Sequence, residues 1–485
     1  MLFSICLFAQ NWQWAHSLGS DNLEYAWDVA TDYEGNVYVT GSFVDSLAFG
    51  DTTLYSNGLD DIYVLKFSSM GNFVWARSFG SSEEDTALSI ATDELGNIYI
   101  TGYHNADMTV GDTTLAWDGL WDAYVIKLDP TGNAMWATSF GGDLNDIGYG
   151  VAVSAGKVFV TGWFASTMYL DDDLWIQSYG GSDIYLACFS TDGDALWVRK
   201  AGDIGVEYGF DVCTDNEGNP YITGVSGNNT IFGDFLLPGD GGFIARYDSD
   251  GNFQWANRMH YASVNSIGFS QHGYVTGRYN GMAGFGDFVL YSIDGGDDIY
   301  YAAFDAQDGT WLYVSSAGGA GSDRGRACVS NTNGLPVQFL AGSYSGSADL
   351  FGYQRQSAGG YDIYVFMDSA NEDSSGYEPV LITAGGENDD IVTGVANIGN
   401  EGVVICGWHF GQTQFGDISI DSGSTFNANL FVARYNISTV ENAGAVQVLV
   451  PQPHCYPNPF QNSLNIKWQT QQAGHAVAEI YNLRG

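Results

Sequence analysis

An all-β repeat fold is predicted by three observations. The phrase "ATDYEGNVYVTGSF" at 30–43 returns as "ATDELGNIYITGYH" at 91–104 and "CTDNEGNPYITGVS" at 213–226, with weaker copies as far as "EGVVICGWHF" at 401–410. Its Thr-Gly anchor puts glycines at Gly41, Gly102, Gly162, Gly224, Gly277, Gly342 and Gly407, spaced 61, 60, 62, 53, 65 and 65 residues apart, with Thr replaced by Ala341 and Cys406 in the last two copies. Each copy consists of short runs that alternate apolar and polar residues, and none sustains a 3.6-residue period. One such sheet cannot bury both of its faces alone, whereas copies packed radially around an axis can. The expected fold is a seven-bladed β-propeller over residues 10–437, closed by its N-terminal strand.

The elements of each unit follow from two further anchors. The strand "DIYVLKF" at 61–67 recurs as "DAYVIKL" (122), "DIYLACF" (183), "GFIARYD" (242), "DIYYAAF" (298), "DIYVFMD" (362) and "NLFVARY" (429). A tryptophan strand follows a Gly-Asn or Asp-Gly turn at Trp75, Trp136, Trp197, Trp255 and Trp311, while the copy "YEPVLITAG" at 377–385 has no Trp. In the second unit the four strands are "TALSIATD", "NIYITGY", "AYVIKLD" and "AMWATSF", with "TVGDTTL" inserted between the second and third. The chain opens on a tryptophan strand, "NWQWAHSLG", that has no unit before it, and the last unit stops after "FVARYN" without one. The first strand is therefore expected to complete the last blade.

These phrases resemble the bacterial β-propeller repeat family (SBBP-like), whose pattern is D…GN-x-Y-x-TG, then G-x-D-x-Y-V-x-K, then G-N-x-x-W. The first, second and fourth units match it well and the last three are diluted. The family has no single activity, so the resemblance implies a fold rather than a function.

Composition narrows the setting. The chain has 485 residues, 45% hydrophobic, with 64 Gly and 9 Pro, enough apolar material for a core and enough glycine for many turns. Its net charge of −42, with only 15 Lys and Arg, repels nucleic acid and anionic membranes. "MLFSICLFAQ" reads as a secretory-signal remnant over 1–9, although it lacks a positive n-region. No later run is long and apolar enough to span a bilayer. The chain is expected to be secreted or held at the outer-membrane surface, and monomeric. The cysteines Cys6, Cys188, Cys213, Cys328, Cys406 and Cys455 show no metal or disulfide spacing.

The tail carries a second resemblance. After a polar connector at 438–452 comes "CYPNPFQNSLNIKWQTQQAGHAVAEIYNLRG" at 453–485, from Cys455 onward. The run Tyr456-Pro457-Asn458-Pro459-Phe460 with the strands behind it is similar to the start of the C-terminal sorting domain of the type IX secretion system. That resemblance implies a partial β-sandwich, export by the type IX machinery, and release or anchoring at the cell surface. Such domains run further than Gly485, so the sequence is expected to be a fragment at both ends.

Three feature classes could carry chemistry. The acid-rich loops "TDYEGN", "TDELGN", "TDNEGN" and "DSDGN" lack the glycine and bidentate glutamate spacing of an EF-hand and are expected to be hairpin turns. Counting back from each anchor reaches Glu24, Asp85, Asp146, Glu207, Asp323 and Asp390, with His260 near the fifth slot. Opening the innermost strands, these acids are expected either to tie neighbouring units together or to line a mouth that holds a cation, with calcium the cofactor such a ring would take. Just after the anchors come Phe43, Tyr103, His104, Trp163, Arg278, Tyr279, Tyr344, Trp408 and His409. Placed on one channel face, these side chains would suit a glycan or a peptide. No nucleophile elbow, zinc-protease helix or phosphate loop is present. Only His104, His409, Arg278 and Arg324 offer acid–base groups. A binding or adhesion module is the reading the residues favour. The alternatives are a secreted enzyme acting on polysaccharide or peptide, and a structural envelope component.

Overall fold

A computed structural model describes residues 12–20, 22–227, 229–330, 337–369, 379–399 and 401–437, with two short strands at 454–456 and 465–467. The chain separates into two compact units, one ending at Ser438 and one beginning at Thr439.

In the larger unit the strands pair antiparallel in successive groups of four. The first group is Glu24–Thr31, Val37–Phe49, Thr52–Phe67 and Phe73–Phe79. The second is Thr86–Thr92, Ile98–His104, Asp122–Leu128 and Ala134–Phe140, with a hairpin of Met108–Val110 and Thr113–Leu115 inserted. The third is Asp146–Ser154, Lys157–Tyr169, Trp175–Ser190 and Ala195–Gly202. The fourth is Tyr208–Thr214, Pro220–Ser226, Gly241–Tyr247 and the start of Phe253–Phe269. The rest of that long strand opens the fifth group, followed by Gly273–Phe285, Asp298–Phe304 and Trp311–Gly319. The sixth is Arg324–Ser330, Val337–Leu350, Tyr353–Ser369 and Val380–Gly386. The last comprises Asp390–Ile398, Gly402–His409 and Asn429–Asn436, and its fourth strand is the N-terminal Trp12–Leu18.

The repeated phrase explains itself locally. Asp32 takes backbone N–H bonds from Glu34 and Asn36 through one carboxylate oxygen and bonds from the Asn36 amide and the Tyr38 hydroxyl through the other. Asp93 and Asp215 repeat that set with Asn97 and Tyr99, and with Asn219 and Tyr221. The acidic loops are turns whose carboxylates are occupied by the turn's own donors. In the Thr-Gly pair, the Thr40 hydroxyl donates to the Tyr63 carbonyl at 2.8 Å, and Thr101, Thr161, Thr223 and Thr276 do likewise on their own third strands. A Cβ on Gly41 would lie 1.9 Å from the Tyr25 carbonyl oxygen, so only glycine lets the first strand come so close.

Neighbouring groups are tied by the same devices each time. First strands pack against the first strands of the groups on either side, and Glu24–Thr31 packs against Asp390–Ile398. The N–H of Asp85, Asp146, Glu207 and Asp323 donates to a carbonyl of the preceding group, and Glu24 N–H donates to Ala428 in the last group at 3.0 Å. Tryptophans clamp the next group's turn: the Nε1 of Trp75, Trp136, Trp197 and Trp255 donates to Pro130, Thr191, Ser249 and Ala306, and Trp14 donates to Ser69. Gly71, at φ 81°, sits where a Cβ would meet the Trp14 ring at 2.6 Å, which makes it irreplaceable on both counts. The hydrophobic core is correspondingly divided into clusters, several of which draw residues from two adjacent groups.

Cys188, Cys328 and Cys406 are buried, Cys213 is half-buried, and all four are free thiols. Among the described residues no helix is long and apolar enough to cross a membrane. In the smaller unit His454–Tyr456 pairs antiparallel with Asn465–Lys467. Of the sorting motif, Tyr456 ends that first strand, and Pro457, Asn458, Pro459 and Phe460 lie outside the described residues.

Candidate functional site

The six acids do not line an open mouth. Glu24, Asp85, Asp146, Glu207, Asp323 and Asp390 are each fully buried, in the seams between groups. Asp85, Asp146, Glu207 and Asp323 accept backbone N–H bonds from Ser81, Gly142, Asp203 and Gly319, each four residues upstream. Glu24 accepts from the Ser20 hydroxyl and Asp390 from the Thr413 hydroxyl. The expectation of a shared outward face fails because the turn before each first strand folds back over its acid. His260 is exposed and stands apart from them.

A partner acid, not singled out from the sequence, meets every one of these seams but that of Glu24, where the preceding third strand begins with Asn429 instead. Asp61, Asp122, Asp183, Asp298 and Asp362 are the first acids of the recurrent "DIY" strands, and all are buried. A Cβ on Gly141 would lie 2.4 Å from Asp122 Oδ1 and 3.1 Å from Asp146 Oδ2, so this glycine sits in the gap between the two carboxylates. Asp122 Oδ1 and Asp146 Oδ1 accept no hydrogen bond from the described residues; nor do Asp183 Oδ1 with Glu207 Oε1, or Asp362 Oδ1 with Asp390 Oδ2. Burial lifts Asp122 to about 6; burial and the Asp122 charge lift Asp146 to about 8. Among the described residues, however, no three His, Cys, Asp or Glu side chains converge as a metal-binding set.

The nine post-anchor residues divide between two faces. Tyr103, Trp163, Arg278 and Trp408 directly follow their glycines and are half-buried. Phe43, His104, Tyr279, Tyr344 and His409, one position later, are buried inside the groups at 0–2% exposure. Consecutive strand residues point to opposite sides, so the two sets cannot share a surface. His104 lies between the Ala106 carbonyl and the Ser139 hydroxyl, at 2.8 and 2.6 Å. His409 lies between Ser17 and Thr413, each at 2.8 Å, and burial pulls its pKa down to about 4. Both are neutral packing histidines, in the second and last groups, whereas Arg278 and Arg324 belong to the fifth and sixth. Truncating His409 to Ala is expected to lower stability by about 1–3 kcal/mol, by leaving its hydroxyl partners unmatched; thermal melting checks this.

The first strands add a set that the sequence pattern hid. Each carries a β-bulge, between Ala26 and Asp28, Ala87 and Ser89, Gly148 and Gly150, Gly209 and Asp211, Val264 and Ser266, Gly325 and Ala327, and Val392 and Gly394. The extra residues, Trp27, Leu88, Tyr149, Phe210, Asn265, Arg326 and Thr393, are all half-buried. A large residue between two small ones, as at Leu88, Tyr149 and Arg326, is the signal that marks several of them. Two aromatic clusters result. Trp408 meets Tyr25 and Trp27 edge-on, with centroids at 5.2 and 5.4 Å. Trp163 meets Tyr208 at 5.3 Å, Tyr208 stacks on Phe210 at 6.2 Å, and Phe210 meets Tyr149 at 5.6 Å. Below them Asp28 bridges to Ser89 and Ile90 of the second group, and Asp211 to Ser266 and Ile267 of the fifth. Burial lifts these two carboxyls to about 7 and about 6.

Residues 74–107 match the model of the β-propeller repeat. Two curated proteins are similar over part of the chain. An uncharacterized WD repeat-containing protein of Acanthamoeba polyphaga mimivirus is 25% identical over 230 residues, covering 40% of this chain and 17% of its own. The regulatory protein FlaEY of Caulobacter vibrioides is 27% identical over 192 residues, covering 36% of this chain and 19% of its own. The chain thus spans less than a fifth of either relative. Among solved structures, Sqt1 from Chaetomium thermophilum has a TM-score of 0.38 at 11% identity, covering 84% of this chain and 87% of its own. The quinohemoprotein alcohol dehydrogenase of Comamonas testosteroni has a TM-score of 0.38 at 13% identity, covering 90% of this chain and 78% of its own. At such scores neither likeness bears on fold or function.

Proposed function

The chain is an all-β protein built from β-propeller repeats, and we propose that its groups are the seven blades of one closed ring whose inner face binds an extended polar ligand, a glycan or a peptide. The protein acts as a monomeric adhesion or binding module, secreted or held at the cell surface. Closure is supported by the bonds that join last group to first: Glu24 to Ala428, Thr393 to Ala26, Thr31 to Asn397, and Trp14 to Ser69. The observation that carries the binding reading is the pair of half-buried aromatic clusters around Trp163 and Trp408, which break the symmetry of the repeat. Trp163→Ala and Trp408→Ala are each expected to weaken binding about 3–10-fold through lost ring contacts, with little change in melting temperature. Trp197→Ala, at a site only 8% exposed, is expected to cost about 3–5 kcal/mol of stability instead. Glycan and peptide arrays with parallel melts decide: a collapse of stability at Trp163 and Trp408 with binding intact would assign both to packing.

Export by the type IX secretion machinery completes the reading, supported by the Tyr456–Phe460 motif and the strand pair beside it. Deleting 453–485 in a bacterium that carries this system should leave the product in the periplasm, and undiminished export would refute the assignment.

A second reading, a divalent cation such as calcium in the seams that hold Glu24, Asp85, Asp146, Glu207, Asp323 and Asp390, is favoured by one observation. Asp122 and Asp146, which flank Gly141, each keep one buried oxygen without a donor among the described residues.

A further inference from the structure

Three arginines gather on the inner face of a protein that carries 57 acids and only 15 Lys and Arg. Arg324 pairs with Ser343 and Gly325 with Gly342, after which the bulge leaves Arg326 unpaired in register, so both arginines turn to the inner face and Gly325 turns away. Arg278 follows the anchor glycine of the fifth group, the slot that holds Tyr103, Trp163 and Trp408 elsewhere. The Asn265 amide donates to the Gly325 carbonyl at 2.6 Å and fixes the fifth group against the sixth at this level.

What sets Arg324 and Arg326 apart is that, among the described residues, no acid pairs with either. Arg278 reaches Asp297 at 3.2 Å. Among the described residues Arg324 and Arg326 form no ion pair, and the Nε of each is buried without a hydrogen-bond acceptor. Arg324 instead lies over the Tyr361 ring at 5.6 Å. Burial, followed by the charges of Arg324 and Arg278, pulls Arg326 down to about 10. A guanidinium whose Nε is buried without an acceptor, as in Arg324 and Arg326, is costly unless an anion completes its fork of donors. The adjoining fourth and third groups present Phe210, Tyr208, Trp163 and Tyr149, whose ring faces suit the flat apolar side of a sugar.

We infer that Arg278, Arg324 and Arg326 hold the carboxylate or sulfate of an acidic glycan whose sugar rings lie against the aromatic cluster of the third and fourth groups. This rests on the ligand-binding reading of the same face and adds the ligand's charge. No bond is made or broken.

The test uses the full chain and calorimetric titration with a galacturonate trisaccharide and a neutral galactose trisaccharide. The acidic sugar is expected to bind at least about tenfold more tightly, as charge-assisted hydrogen bonds imply. Arg326→Gln and Arg324→Gln should each remove that preference, and Arg326→Lys should keep part of it. Equal binding of both sugars, or an unchanged preference in Arg326→Gln with its melting temperature preserved, overturns the inference while leaving a glycan site in place. If neither sugar binds, the glycan is refuted, and sodium sulfate then tests the anion site alone. A saturable rise in melting temperature that Arg326→Gln abolishes would retain the site, and no such rise would remove it. Tighter binding of an oligoglutamate peptide than of galacturonate overturns the assignment to a glycan.

Discussion

Deleting residues 12–18 is expected to abolish the cooperative melt of the larger unit and to drive the protein into aggregates. The strand supplies Trp12 and Trp14, only 7% and 8% exposed. Trp12 packs edge-on against Phe415 and Tyr435, with centroids at 4.9 and 5.3 Å. Trp14 clamps the Gly71 turn of the first group, and His16 Nε2 reaches the Gly71 carbonyl at 2.8 Å. Truncating a buried tryptophan costs about 3–5 kcal/mol, so two such losses rival the 5–15 kcal/mol, roughly, that holds a whole domain folded. The deletion also bares the edge of Asn429–Asn436, a run of apolar residues with open backbone donors. Thermal melting and size-exclusion chromatography measure both effects, and Trp14→Ala alone should reproduce about half of the stability loss. A deletion variant that melts as the parent does would show that the first and last strands do not hold the ring shut.

That the first strand belongs beside the last was legible because the sequence counts in fours. A tryptophan strand without a unit at one end answers a unit without one at the other. The turn chemistry was equally plain, since Asp, Gly, Asn and Tyr at fixed offsets have one geometry that satisfies all their donors. The inner face was not legible. Alternation fixes which residues share a side only while the register runs unbroken, and every first strand slips by one residue at its bulge. Trp27, Phe210 and Arg326 thus look like interior positions in the sequence and lie on the face in the structure. The post-anchor pairs failed for the opposite reason: His104 and His409 are polar, yet they fill the side of the pleat that the structure buries. The seam acids were misread because each was read alone, whereas the partner acids lie 24 to 28 residues upstream of Asp85, Asp146, Glu207, Asp323 and Asp390.

Those seam pairs carry the second large effect. Stability is expected to be highest near pH 4 and to fall as pH rises to 8. The sign follows from the folded state holding protons that the unfolded chain has lost. Asp61, Asp85, Asp122, Asp183, Asp298, Asp323 and Asp362 are lifted by burial to about 6, Glu207 and Asp390 to about 7, and Asp146 to about 8. A carboxyl raised on folding costs nothing below its unfolded value near 4, where it is neutral in both states. It then destabilises increasingly until pH passes its folded value, by about 1.4 kcal/mol per pKa unit. Asp129, half-buried in its turn and held near 2 by the donors of Thr131 and Asn133, opposes this trend only at lower pH. Asp146→Asn should keep the bond from Gly142 through its amide oxygen and offer an N–H to Asp122 Oδ1, which lacks one. The variant is expected to melt higher than the parent at pH 8, to match it near pH 4, and to show a shallower slope between. Melts across pH 4–8.5, with and without millimolar calcium, separate a proton from a cation. If calcium raises the parent's melting temperature at pH 8 and Asp146→Asn loses that rise, the pair holds a metal. If calcium does nothing and Asp146→Asn is stabilising, each pair shares a proton. A parent that grows more stable from pH 5 to 8 without calcium would contradict both, because two buried carboxylates facing one glycine cannot both be charged at no cost.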